Sequence, residues 1–242
     1  MIRRDYIVRM IEEMGRALAQ IRALRHAGRA EAARQMADAE CEKLAALGAV
    51  GIVKLSETEL LARVSEGQYS HTVHLRTLAV AALLHEAAEI ASGQDRVGEA
   101  REIYLKALHL LLGVSSQDDP AEFPEFVPKV EAIVTALEAQ PLPVETQSLL
   151  MRHYEATGQF AKAEDALYSI IDAVGADAEL AGFGRAFYGR ILARSDAALV
   201  AGNLPRGEAE QGLIELNTSA ANLAMMPGRA TRPCLFQSQT LK

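Results

Sequence analysis

Ile7, Ile11, Met14, Leu18 and Ile21 are spaced 4, 3, 4 and 3 residues apart. On a helix that interval returns to one face each turn, so the five residues form a single apolar stripe. Arg9, Glu12, Glu13, Arg16 and Arg22 fall on the other face. A helix of this kind must bury its stripe against a neighbour. The neighbour is close in sequence: the pattern breaks at His26-Ala27-Gly28, where a glycine suits a left-handed helix cap, and resumes over 29–47. Residues 4–47 therefore read as one antiparallel helical hairpin.

The same alternation runs down the chain. Residues 48–55 form an apolar linker, and Ser56 with Glu59 supplies the Ser and Glu of a capping box for a short helix ending near Val64. A long helix is expected over 72–92, a turn at Gly93-Gln94-Asp95, and a return helix over 97–112 with Ile103, Tyr104, Ala107, Leu108 and Leu111 inward. Residues 115–120 are loop by composition, and a helix over 126–139 follows Pro124 and contains Pro128 in its first turn. A third hairpin is expected over 144–174 with its turn at Gly158, and a fourth over 178–223 with its turn at Gly202-Asn203. From Pro227 onward there are no acids and no periodicity, so 1–226 reads as a single helical domain, with 115–143 as the alternative place for a subdivision, and 227–242 as a disordered tail. Only 5% of the residues are aromatic and none is tryptophan, which suits closely packed helices better than sheets.

The hairpins resemble tetratricopeptide repeats. Leu150-Met151-x2-Tyr154 stands where that repeat has Leu-Gly-x2-Tyr, and Gly158, Phe160 and Ala163 follow at the turn and the start of the second helix. Ala100-x3-Tyr104 matches the second helix of another unit. The turns fall near Gly28, Asp95, Gly158 and Gly202, at intervals of 67, 63 and 44 where a regular array has 34, so additional helices sit between hairpins. The fold class is therefore all-α, a divergent tetratricopeptide-like array of antiparallel helical hairpins. The opening Arg4-Asp-Tyr-Ile and Arg9-Met-Ile-Glu-Glu also resembles that of an uncharacterised bacterial family of unknown function. The repeat resemblance implies partner binding along a groove lined by the first helix of each hairpin. It marks Arg22, Arg25, His85, Glu89 and Arg152 as candidate binding residues.

Charge narrows the partner. The chain carries a formal net charge of −7, which opposes general nucleic-acid binding. Residues 1–36 hold eight arginines against four acids, so this end would steer an acidic protein or peptide. No uninterrupted apolar stretch is long enough for a membrane span, and Asp5, Arg9, Glu12 and Glu13 interrupt any signal-like core. Two isolated cysteines, Cys41 and Cys234, fit a reducing cytoplasm and make no disulfide framework.

Catalytic patterns fail on inspection. His71 and His85 would lie about 21 Å apart along one helix and share no metal. His85-Glu86-Ala87-Ala88-Glu89 lacks the final histidine of a zinc-protease motif. Asp118-Asp119-Pro120 fits a helix cap better than a magnesium site, and Gly182-Phe-Gly184 follows no strand, so its glycines serve close helix packing. Cys41 sits among Asp38, Glu40 and Glu42, which oppose a thiolate. The expectation is a cytoplasmic, non-enzymatic interaction module without cofactor or metal, with a homodimer through the first stripe as a further option. The alternative is a helical regulator that binds a small ligand in an apolar pocket between hairpins.

Overall fold

A computed structural model describes residues 2–66, 70–115, 123–175 and 178–224. The expected tail over 227–242, the 116–122 segment with Asp118 and Asp119, and the His71 side chain lie outside the described residues. Among those described, every regular element is helical and no strand occurs. The chain divides into two compact units, Met1–Ala156 and Thr157–Lys242.

Unit 1 contains α1 (Ile2–His26), α2 (Ala30–Ala45), α3 (Ala49–Val53), α4 (Glu57–Ser65), α5 (Ser70–Ser92), α6 (Val97–Ser115), α7 (Val130–Leu137) and α8 (Val144–Ala156). Gly28, at φ +71°, turns α1 into α2, and the Arg29 N–H donates back to the Leu24 carbonyl at 2.9 Å. Met14, Leu18 and Ile21 of the first stripe are buried, and Ala33, Ala37, Cys41 and Ala45 answer them from α2. The stripe is uncovered towards its start, where Ile11 and Ile7 are half-buried.

The core of unit 1 is α5. Between Thr72 and Ala91 only Val73, His74, Arg76, His85 and Glu89 show partial exposure. A helix that is apolar on nearly every side is stable only when surrounded, and α5 packs against α1, α2, α3, α4 and α6. Each leucine or isoleucine so buried contributes roughly 1.5–3 kcal/mol. The α5–α6 turn uses Asp95 at φ +59°, a left-handed position that aspartate tolerates better than bulkier side chains.

The segment expected as a linker is the helical turn α3. Its first N–H, on Ala49, donates to Asp38 Oδ1 of α2 at 2.9 Å. A side chain at Gly48 would collide with that carboxylate, its Cβ falling 2.8 Å from Oδ1. The capping box of α4 forms in full: Glu59 N–H donates to Ser56 Oγ at 3.2 Å and Ser56 N–H to Glu59 Oε2 at 2.8 Å. The helix expected over 126–139 begins later, at Val130, because Pro128 precedes the N-cap Lys129 instead of entering the first turn.

Basic side chains from neighbouring helices close several helix ends. Arg76 of α5 donates to Leu44 O of α2 at 2.6 Å, Lys106 of α6 to Leu55 O beyond α3 at 2.7 Å, and Arg101 of α6 to Pro141 O beyond α7 at 2.6 Å. The last carbonyls of a helix lack partners and carry partial negative charge, so a cation supplied from outside satisfies both demands.

Unit 2 contains α9 (Phe160–Val174), α10 (Ala178–Leu192), α11 (Asp196–Ala201) and α12 (Arg206–Ala224). The single helix expected over 178–201 is two. It breaks at 193–195, where Ser195 Oγ accepts from Ala198 N–H at 3.2 Å and restarts the chain as α11. The left-handed residue of the next turn is Asn203, at φ +57°, while Gly202 is at φ −80°. Gly202 serves instead as a point of close approach: a Cβ there would strike the Phe160 ring and the Gly158 carbonyl. Gly184 does the same between α10 and α12, where a Cβ would lie 2.6 Å from Leu216 Cδ2.

Candidate functional site

Arg22 and Arg25 are three residues apart on α1, and Glu86 and Glu89 are three apart on α5. Arg22 Nε donates to Glu86 Oε1 at 2.5 Å, and Arg25 Nη1 donates to Glu89 Oε2 at 2.9 Å. Both pairs are offset by the same 64 residues, so α1 and α5 run in the same direction along this seam. Arg25 Nη2 also lies 3.4 Å from Glu86 Oε2. From α6, the Tyr104 hydroxyl donates to Glu89 Oε1 at 2.6 Å. The His85 ring meets Tyr104 edge-on at 5.8 Å and 64°.

The cluster grades from wet to dry. The Arg22 side chain keeps 40% of its surface exposed, whereas Glu86 keeps 1%. Burial pushes the Glu86 carboxyl up, but the His85 ring and the Arg22 guanidinium beside it outweigh burial and hold it below the usual carboxylate range. Burial, reinforced by the hydrogen bond to Glu89, pushes the Tyr104 phenol well up, so it stays a donor at neutral pH. Two arginines face two glutamates, so the cluster balances in charge. Its evident effect is mechanical, tying α1 to α5 and α5 to α6.

Four of the five residues singled out from sequence, Arg22, Arg25, His85 and Glu89, thus come together. Arg152 does not join them and lies exposed on α8. Glu86, the buried centre, and the Tyr104 hydroxyl were not among the sequence candidates. Glu86 had a signal: it is a carboxylate inside the apolar run from Leu78 to Ala91, and a buried charge needs a partner. The arginine-rich start of the chain is also partly neutralised, since Arg34 pairs with Glu31 at 2.7 Å and with Asp38 at 3.4 Å.

Burial first, then Asp38, Glu40 and Glu42, push the Cys41 thiol far above its ordinary value, which opposes the thiolate form. Among the described residues no group of three or more histidine, cysteine, aspartate or glutamate side chains is placed to hold a metal ion.

Among the described residues every regular element is helical, and unit 1 is built on a buried central helix and a polar seam that balances its own charges. Residues 1–220 match the family model described as a family of unknown function, DUF6483, and the chain belongs to that family. No curated protein and no solved structure matches the chain.

Proposed function

We propose that this chain is a non-enzymatic interaction module, an adaptor or scaffold whose α1–α2 and α5–α6 pairs act as divergent tetratricopeptide-like hairpins holding another protein or peptide. The observation that carries the reading is the direction of the seam. The first helices α1 and α5 lie side by side and parallel at Arg22–Glu86 and Arg25–Glu89, and the return helix α2 packs against α5. That is the order in which stacked hairpins present their first helices as one surface.

The floor of that surface is filled by its own ion pairs. A partner therefore meets the solvent half of the seam, where Arg22 and Glu89 remain partly exposed, with Arg152 of α8 as an additional exposed cation. An acidic partner suits the excess of arginine over residues 1–36. Cys41 as a free buried thiol is in keeping with a cytoplasmic setting. No described helix is long and apolar enough to cross a membrane. A homodimer through α1 has only the half-covered Ile7–Ile11 end of the stripe to use, because Met14, Leu18 and Ile21 are buried within unit 1.

The test is affinity capture of the tagged chain from lysate of its source cells, alongside Arg152→Glu and Arg22→Gln variants checked for unchanged helicity. A protein retained by the wild type and weakened by both variants supports the module. If nothing specific is retained, and a metabolite extract raises the thermal midpoint, the small-ligand regulator replaces it.

A further inference from the structure

A second cluster occupies unit 2, independent of the α1–α5 seam. Tyr188 of α10 is fully buried, and its hydroxyl donates to Glu164 Oε1 of α9 at 2.6 Å and lies 3.5 Å from the Tyr168 hydroxyl. The contact exists because position 212 of α12 is glycine: a Cβ there would strike the Tyr188 hydroxyl and stand 2.8 Å from Glu164 Oε1. Tyr168 in turn donates to the Gly212 carbonyl at 3.5 Å. Three helices therefore meet at the Glu164 carboxyl. It opens on a cleft of about 280 Å³ lined also by Tyr168, Glu208, Gln211 and Glu215.

The groups that act on Glu164 are Asp165 from its own helix, Tyr188 from α10, and Glu208 and Glu215 from α12. Each is an acid or a phenol. The α1–α5 seam shows the other arrangement, in which arginines balance buried carboxylates. Here a half-buried carboxylate joins three helices with like charges around it, which favours its protonated form.

We infer that Glu164 is a proton-operated clasp: taking up one proton there fastens α9 to α10 and α12, and releasing it loosens unit 2. Burial, and then Asp165, Glu208 and Glu215, raise its carboxyl above the ordinary value of 4.5, with the Tyr188 hydrogen bond pulling partly the other way. An acid whose pKa is raised on folding is bound to its proton more tightly by the folded state. The stabilisation is complete below the ordinary value and is lost as pH rises through the folded one. Mild acid therefore tightens unit 2.

The experiment is amide hydrogen exchange on the full chain from pH 8 to pH 5, corrected for intrinsic rates, with α5 amides as the internal reference. The opening constant of α9, α10 and α12 is expected to fall as pH falls, by up to about tenfold per pH unit within the titration, the limit for one proton. Glu164→Gln, a neutral isostere, is expected to flatten that dependence. Tyr188→Phe removes the donor that favours the charged form and is expected to move the midpoint to higher pH. A wild-type slope retained in Glu164→Gln overturns the clasp. Should Glu164→Gln fail to fold, the Glu208→Gln, Glu215→Gln double variant decides. It keeps the clasp and removes two of its like charges, so the midpoint is expected to fall while burial and Asp165 still hold it above the ordinary value, and opening of α9, α10 and α12 that is independent of pH in the wild type and the double variant alike overturns the inference.

Discussion

Arg22 Nε lies 2.5 Å from Glu86 Oε1, and the carboxylate it reaches has 1% of its side chain open to water. Such a pair is fixed less by its attraction than by the cost of separating it, since a buried carboxylate left alone keeps its desolvation penalty. Arg22→Met should therefore destabilise unit 1 by about 2–3 kcal/mol. The double variant Arg22→Met, Glu86→Met should recover part of that loss, because no orphan charge remains, while Arg25 and Glu89 still pair. Urea midpoints for the two single variants and the double variant test this. The pair also gives an acid dependence opposite to that of Glu164. The folded Glu86 carboxyl lies below its ordinary value of 4.5, so its contribution is complete above that pH and fades as pH falls below it. Wild-type unit 1 should lose more stability from pH 5 to pH 3 than the double variant does.

Glycines separate into two groups that substitution by alanine will tell apart. Gly15 stands in the middle of α1, and a Cβ there would meet nothing within 4 Å. Gly15→Ala should raise stability by about 0.5–1 kcal/mol by restricting the unfolded chain. Gly184 stands in α10 with Leu216 of α12 where its Cβ would go, and Gly184→Ala should cost about 1–3 kcal/mol through forced repacking. Thermal midpoints moving in opposite directions are the expected result. Equal losses in both would place an unseen neighbour against Gly15.

The sequence was most legible where one short-range rule governs. The α1 stripe, the Gly28 turn and the Ser56–Glu59 cap need only local periodicity or backbone chemistry, and the helices follow them. Legibility failed where distant residues decide. The α3 turn forms around an acceptor 11 residues away, Asp38, and the 178–201 stretch breaks at a serine whose cap competes with continued helix. The α5 helix lacks a polar face, so periodicity places no binding surface on it. Between Leu78 and Ala91 its two windows to solvent, His85 and Glu89, are set by how α1 and α6 leave it uncovered. For the candidate site, the repeat resemblance marked Arg22, Arg25, His85 and Glu89, which the packed helices bring together, but not Glu86 or the Tyr104 hydroxyl, because only the packed helices show which carboxylate is dry.

The end of α10 supplies the last prediction. Arg206, the first residue of α12, donates to Leu192 O and Arg194 O, each at 2.9 Å, and to Asp196 Oδ1 at 2.5 Å. One guanidinium thus satisfies carbonyls left over by α10 and holds the break that separates α10 from α11. Arg206→Lys keeps the charge but not the planar fork, so it cannot serve three acceptors in that geometry. We expect Arg206→Lys to recover less than half of the roughly 1–2 kcal/mol lost by Arg206→Ala. Near-complete rescue by lysine would mean that charge at the helix terminus, and not the hydrogen-bond geometry, secures the break. Amide exchange at Arg194 to Ala198 separates the two, since only loss of the fork should unprotect the turn while α12 stays protected.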